Sequence, residues 1–193
     1  MSLVSVVARE NFVTVMSDGR VQDKVGTIQE DYQKFVQLSP NLFLAFTGHA
    51  EPAEALLKAF EIQGFKNMLP EMAFEQFNFL ITGLIKAFIS KSPYKLLMAY
   101  GGVNEKNEVV VYYINSLDLS CDHYSPKGND INVICLGNGH ATSPLLGTYL
   151  NRTGSDTPQQ ILSAQRMLND HVAELDESVN KHTFQLIIEK LEK

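Results

Sequence analysis

Helical periodicity appears in this chain only in consecutive pairs, and that restricts the fold more than any other feature. "HAEPAEALLKAFEIQGF" sets Ala53, Leu56, Leu57 and Phe60 on one side at helical spacing, with Pro52 suited to a first turn. A second helix is expected from about Pro70 to Ser90, where apolar residues wrap most of the circumference. Such a helix is buried on more than one side, against a partner subunit or at the centre of a monomer. The second pair is "HATSPLLGTYLNR" and "TPQQILSAQRMLNDHVAEL". Strand patterns fill the rest. Residues 2–48 read as four antiparallel strands: a hairpin of Leu3 to Ala8 with "FVTVMS", then after a polar loop "YQKFVQL" and "LFLAFTG". "LFLAFTG" is apolar enough to be buried on both faces. "YKLLMAYGGV", "NEVVVYYIN", "LSCDHYSP" and "INVICLG" lie between the helix pairs, and "HTFQLIIEKL" closes the chain. A doubly wound fold needs helices alternating with parallel strands, so it is disfavoured. Two antiparallel sheets face to face, with a helix pair on each outer face, cover every apolar surface. The expectation is an α+β protein, a four-layer αββα sandwich, in one domain over residues 1–193.

The composition permits this and narrows the function. The 193 residues suffice for one sizeable core. The net charge is −6, with no basic run and no aromatic stripe laced with Lys or Arg, which argues against nucleic-acid binding. No uninterrupted apolar run matches a bilayer, and Arg9 and Glu10 interrupt the opening apolar stretch before it can serve as a signal peptide. A cytoplasmic location is expected, with no membrane partner. Cys121 and Cys135 lack CxxC spacing and read as reduced residues. His49, His123, His140, His171 and His182 show neither HxH nor HExxH spacing, so no zinc site is expected, and no cofactor. "GGVNEKNE" is a hairpin turn, since no helix follows to make it a phosphate loop.

The amino end carries the chemistry. A strand begins almost at residue 1, and the first side chain after Met1 is the hydroxyl of Ser2. With "LVSVVARENFVTVMSDGRV", "QKFVQLSPNLFLAFTGHAEPAEALL", "LLMAYGGVNEKNEVVVYYIN" and "VICLGNGHATS", the chain resembles the proteasome β-subunit and the HslV-type peptidases, which are N-terminal nucleophile hydrolases. The likeness spans most of the chain on short motifs. It implies a nucleophile at the amino end, an acid closing the first hairpin and a lysine on the next strand. Taken from Ser2, Asp18 and Lys34 fall at the family's separations without a gap. A second register puts Met1 first and leaves no nucleophile.

What the resemblance implies is amide hydrolysis. A serine hydroxyl needs a base. Once Met1 is removed, Ser2 has a free α-amine, with a reference pKa of about 7.7–8.0, which can take the hydroxyl proton directly or through a water. Lys34 would lower that pKa by like-charge repulsion, and Asp18 would hold Lys34 charged. The family's oxyanion donor aligns to Ala45, where glycine is usual. The family's serine between two glycines is Asn138, which hydrogen-bonds but does not relay a proton as a hydroxyl does. The later acid maps to Asp176, and Val179, with Ser178 beside it, stands where a further serine is usual. The implied partners are further copies of the chain in a ring, peptide substrates and an ATP-dependent unfoldase. The rival functions are a silent ring scaffold and a small-molecule amidase that works outside a chamber.

Overall fold

The computed structural model describes residues 2–22, 26, 28–48, 54, 55, 58, 76, 79, 83, 96–116, 120–137 and 142–191. Two antiparallel sheets dominate. The first has four strands: β1 (Leu3–Ala8), β2 (Phe12–Asp18), β10 (Asn132–Gly137) and β11 (Thr183–Glu189), in the order β10-β1-β2-β11. The second has five: β5 (Phe35–Ser39), β6 (Leu42–Gly48), β7 (Leu96–Val103), β8 (Val109–Asn115) and β9 (Cys121–Tyr124), in sequence order. The polar loop expected after the first hairpin contains a short ribbon, β3 (Val21–Gln22) with β4 (Ile28–Gln29). Residues 2–48 therefore hold this ribbon in addition to the four expected strands, which are divided between the two sheets. The segment after Asp18 carries the chain from the first sheet to the second.

Strand alternation explains the sandwich. Val4, Val6, Val13, Val15, Ile134 and Leu136 of the first sheet share a core with Phe43, Ala45, Ala99, Val109 and Val111 of the second. The opposite face of the first sheet offers Leu3, Val7 and Phe12 to the helices α1 (Thr142–Thr153) and α2 (Pro158–Leu175), which supply Leu146, Leu150, Ile161, Leu168 and Val172. Every residue of β1 is buried because both its faces are covered. All of β7 is buried, as is β6 from Leu42 to Thr47, so the outer face of the second sheet is shielded as well. The first helix pair of the sequence falls between residues 52 and 90, outside the described residues except for Glu54, Ala55, Lys58, Gln76, Phe79 and Gly83, all of them helical.

The start of α2 is fixed by a capping box. Gln160 N–H donates to Thr157 Oγ1 (3.3 Å) and Thr157 N–H donates to Gln160 Oε1 (3.1 Å), with Pro158 in the first turn. One buried polar group lies under the helix. Gln165, fully buried, donates to the Ser5 carbonyl (2.9 Å) and accepts from Thr14 Oγ1 (2.9 Å), so α2 is keyed to β1 and β2 by hydrogen bonds as well as packing.

Candidate active site at the amino end

The site forms where β1 begins, β2 ends and β5 is about to begin. Ser2 is 8% exposed and immediately precedes β1. Its neighbour Leu3 donates its backbone N–H to Asp18 Oδ1 (2.8 Å), so the carboxylate that closes the first hairpin also holds the amino end in place. Arg20 N–H donates to Asp18 Oδ2 (2.9 Å). Lys34 reaches the same group: its Nζ lies 2.8 Å from Asp18 Oδ2 and donates to the Asp18 carbonyl at 2.9 Å. The side chains of Lys34 and Asp18 are 3% and 0% exposed.

The sequence pattern placed Lys34 within a strand, whereas β5 starts one residue later. Lys34 N–H is directed to Ser17 Oγ (3.5 Å) across the sandwich, which draws the residue toward the first hairpin and the ammonium toward Asp18. Burial pushes the Lys34 pKa below the ordinary lysine value. The charge of Asp18 and its hydrogen bond act in the opposite direction. Lys34 is thus a desolvated cation held charged by one carboxylate.

Gly137 makes room for Ser2. It ends β10 with φ +108°, and a Cβ there would overlap the Ser2 carbonyl oxygen. From the second sheet, Thr47 comes up against the same spot, its Cβ 3.5 Å from where a Gly137 Cβ would stand. Gly48 follows, exposed, at the end of β6 with φ +115°.

Ser2, Asp18 and Lys34 thus meet in one place. Ala45, the expected oxyanion donor, is 0% exposed in the middle of β6, paired with Phe35 on one side and Ala99 on the other. An N–H there faces a neighbouring strand and leaves no space for substrate. Asn138 lies outside the described residues. Asp176 caps the end of α2, and its Oδ1 accepts from Ser178 N–H (2.9 Å) and Ser178 Oγ (2.6 Å). Val179 is packed into the core beneath the helices. The hydroxyl near Asp176 is therefore that of Ser178.

No protein-family model matches the chain, and no curated protein matches it at a significant level. Solved structures do match. Anbu (ancestral beta-subunit) from Yersinia bercovieri superposes with a TM-score of 0.75 at 15% identity, covering 97% of this chain and 81% of that one. Eukaryotic HslV from Trypanosoma brucei superposes with a TM-score of 0.59 at 16% identity, covering 97% of this chain and 99% of that one. The fold is that of the proteasome-type N-terminal nucleophile hydrolases.

Within this proteasome-type fold, several residues around the site gave no signal in the sequence. Arg20 pairs with Glu30 (2.8 Å) and donates to the Glu177 carbonyl. Asn180 accepts from Gly19 N–H (2.8 Å) and donates to the Glu30 carbonyl (2.9 Å). The turn that carries Asp18 is thereby laced to the segment after α2. Gly19 itself has no space for a side chain, since a Cβ would come within 2.6 Å of the Glu30 carbonyl oxygen. Only the Asp-Gly pair hinted at this turn. Among the described residues, no cluster of His, Cys, Asp or Glu could hold a metal ion, and no helix is long and apolar enough to cross a membrane.

Proposed function

We propose that the chain is a proteasome-like peptidase with Ser2 as nucleophile. The observation that carries this reading is the buried Asp18–Lys34 ion pair, whose carboxylate also binds the N–H next to Ser2. Removal of Met1 frees the Ser2 α-amine. The amine takes the proton of Ser2 Oγ as the oxygen attacks a peptide carbonyl. Lys34 keeps a positive charge beside the amine, which favours its neutral, proton-accepting form and stabilises the developing alkoxide. The proton then passes to the departing amine, and water hydrolyses the ester left on Ser2. The N–H of Gly48, an exposed residue at the end of β6, suits the oxyanion better than that of the fully buried Ala45.

The same reading places the chain in a ring of its own copies, with a second helix pair completing the four-layer sandwich and an ATP-dependent unfoldase delivering peptides. The likeness to a protein named as a beta-subunit supports self-assembly. So does Phe79, a helical residue that is 81% exposed. The test uses untagged protein, Ser2→Ala and a panel of fluorogenic peptides, with intact mass and light scattering on each sample. The expected result is a large assembly lacking Met1 that hydrolyses peptides, with turnover lost in Ser2→Ala. An assembly lacking Met1 with no turnover would identify a silent scaffold, and an active monomer would identify an amidase.

A further inference from the structure

Thr47 is 2% exposed, and its Oγ1 is buried without a hydrogen-bond partner among the described residues. Proteins seldom leave a buried hydroxyl unpaired, because stripping it of water without replacing the bonds destabilises the fold. Valine has nearly the same shape and would fill the position without that loss. The orphan is also specifically placed. Phe43 and Ala45, on the same face of β6, belong to the apolar core between the sheets. Thr47 extends that row to its end, where it meets Gly137 and the backbone of Ser2. The strand thus changes from apolar to hydroxyl-bearing at the point where it reaches the reacting residue.

We infer that Thr47 is a positioning residue for proton transfer at Ser2, its hydroxyl holding the water that links Ser2 Oγ to the α-amine. This rests on Ser2 acting as nucleophile. A hydroxyl both donates and accepts, so Thr47 can hold such a water in either orientation. In the transfer, the Ser2 Oγ–H proton goes to the water and a water proton goes to the amine nitrogen. An ammonium and a serine oxyanion result, and the water is regenerated. Thr47 keeps its own proton throughout.

The test compares wild type, Thr47→Val and Thr47→Ser. Each is given a peptide vinyl sulfone, which adds to a nucleophilic hydroxyl, and adduct formation is followed by intact mass across a pH range. Urea denaturation is run on the same samples. In Thr47→Val the plateau rate of labelling is expected to fall about tenfold to a hundredfold, within the range of proton-transfer effects. Its denaturation midpoint stays at or above that of wild type, since the lost hydroxyl has no partner among the described residues. Thr47→Ser recovers most of the rate. Equal labelling of wild type and Thr47→Val would overturn this inference alone. So would a lowered midpoint in Thr47→Val, which would mark the hydroxyl as structural. A wild-type chain that has lost Met1 and still resists the probe would overturn the nucleophile reading and this inference with it.

Discussion

Neutralising Asp18 tests the ion pair on which the site is built. The side chains of Asp18 and Lys34 are 0% and 3% exposed, so water cannot replace a lost partner. Asp18→Asn keeps the shape of the side chain but has a single acceptor oxygen, so it can keep the bond from Leu3 N–H or the one from Arg20 N–H and not both, and it leaves the Lys34 ammonium buried without a counter-charge. Breaking a buried pair in this way costs about 3–5 kcal/mol. Lys34→Met removes the cation and leaves Asp18 with its two backbone donors, so its cost should be smaller, about 1–3 kcal/mol. The double variant has neither charge. It is expected to be more stable than Asp18→Asn alone, with a coupling of about 1–3 kcal/mol.

The pH dependence adds a second signature. Burial already lowers the Lys34 pKa, and Asp18 is the group that raises it. Without Asp18, the folded-state value falls further below the unfolded value of about 10.5. Between those two values the unfolded chain binds more protons than the folded one, so stability rises with pH across that window. The deficit of Asp18→Asn should therefore be smaller at about pH 9 than at about pH 7. Urea denaturation of the four proteins at both pH values measures every quantity. Additive single-variant costs, or a deficit that does not change with pH, would refute the account of the pair.

Gly137→Ala should cost at least about 1–3 kcal/mol from its left-handed backbone alone. It should also abolish Ser2 labelling, because the new methyl overlaps the Ser2 carbonyl; normal labelling in a folded variant would contradict the packing at this point. Tyr32 is held neutral to about pKa 12 by burial and by Glu54, against 10 in the unfolded chain. Its contribution is complete below pH 10 and is lost as pH rises through 12, so Tyr32→Phe should flatten the alkaline fall in stability. An unchanged profile would place the titration elsewhere.

The sequence conveyed most of the element order because periodicity is local. Strand alternation and the spacing in α2 reappear in the buried rows of both sheets and in Ile161, Leu168 and Val172. Asp18 and Lys34 were singled out by the resemblance, because they lie at the family's separations from Ser2, and a separation along the chain is visible without folding. Contacts between distant segments were not legible. Nothing local distinguishes Gly137 from any strand-ending glycine, and its meaning comes from the Ser2 carbonyl lying against it. Arg20, Glu30 and Asn180 look like surface residues until the turn after β2 and the segment after α2 are brought together. Ala45 was reached by aligning "LAFTG" to the family's strand, and an alignment of so short a stretch does not say which N–H groups lie inside the sheet and which at the strand end. The short ribbon β3-β4 lay hidden in a polar stretch whose strands are two residues each.

The most direct test treats the untagged protein with a peptide epoxyketone, whose two reactive carbons engage a hydroxyl and a neighbouring amine together, and then measures intact mass and maps the adduct. The account predicts a chain lacking Met1 that carries one inhibitor on Ser2, and none on Ser2→Ala. A chain that retains Met1, or one that has lost it and takes up no inhibitor, would contradict the claim that this amino end is a nucleophile with its own base.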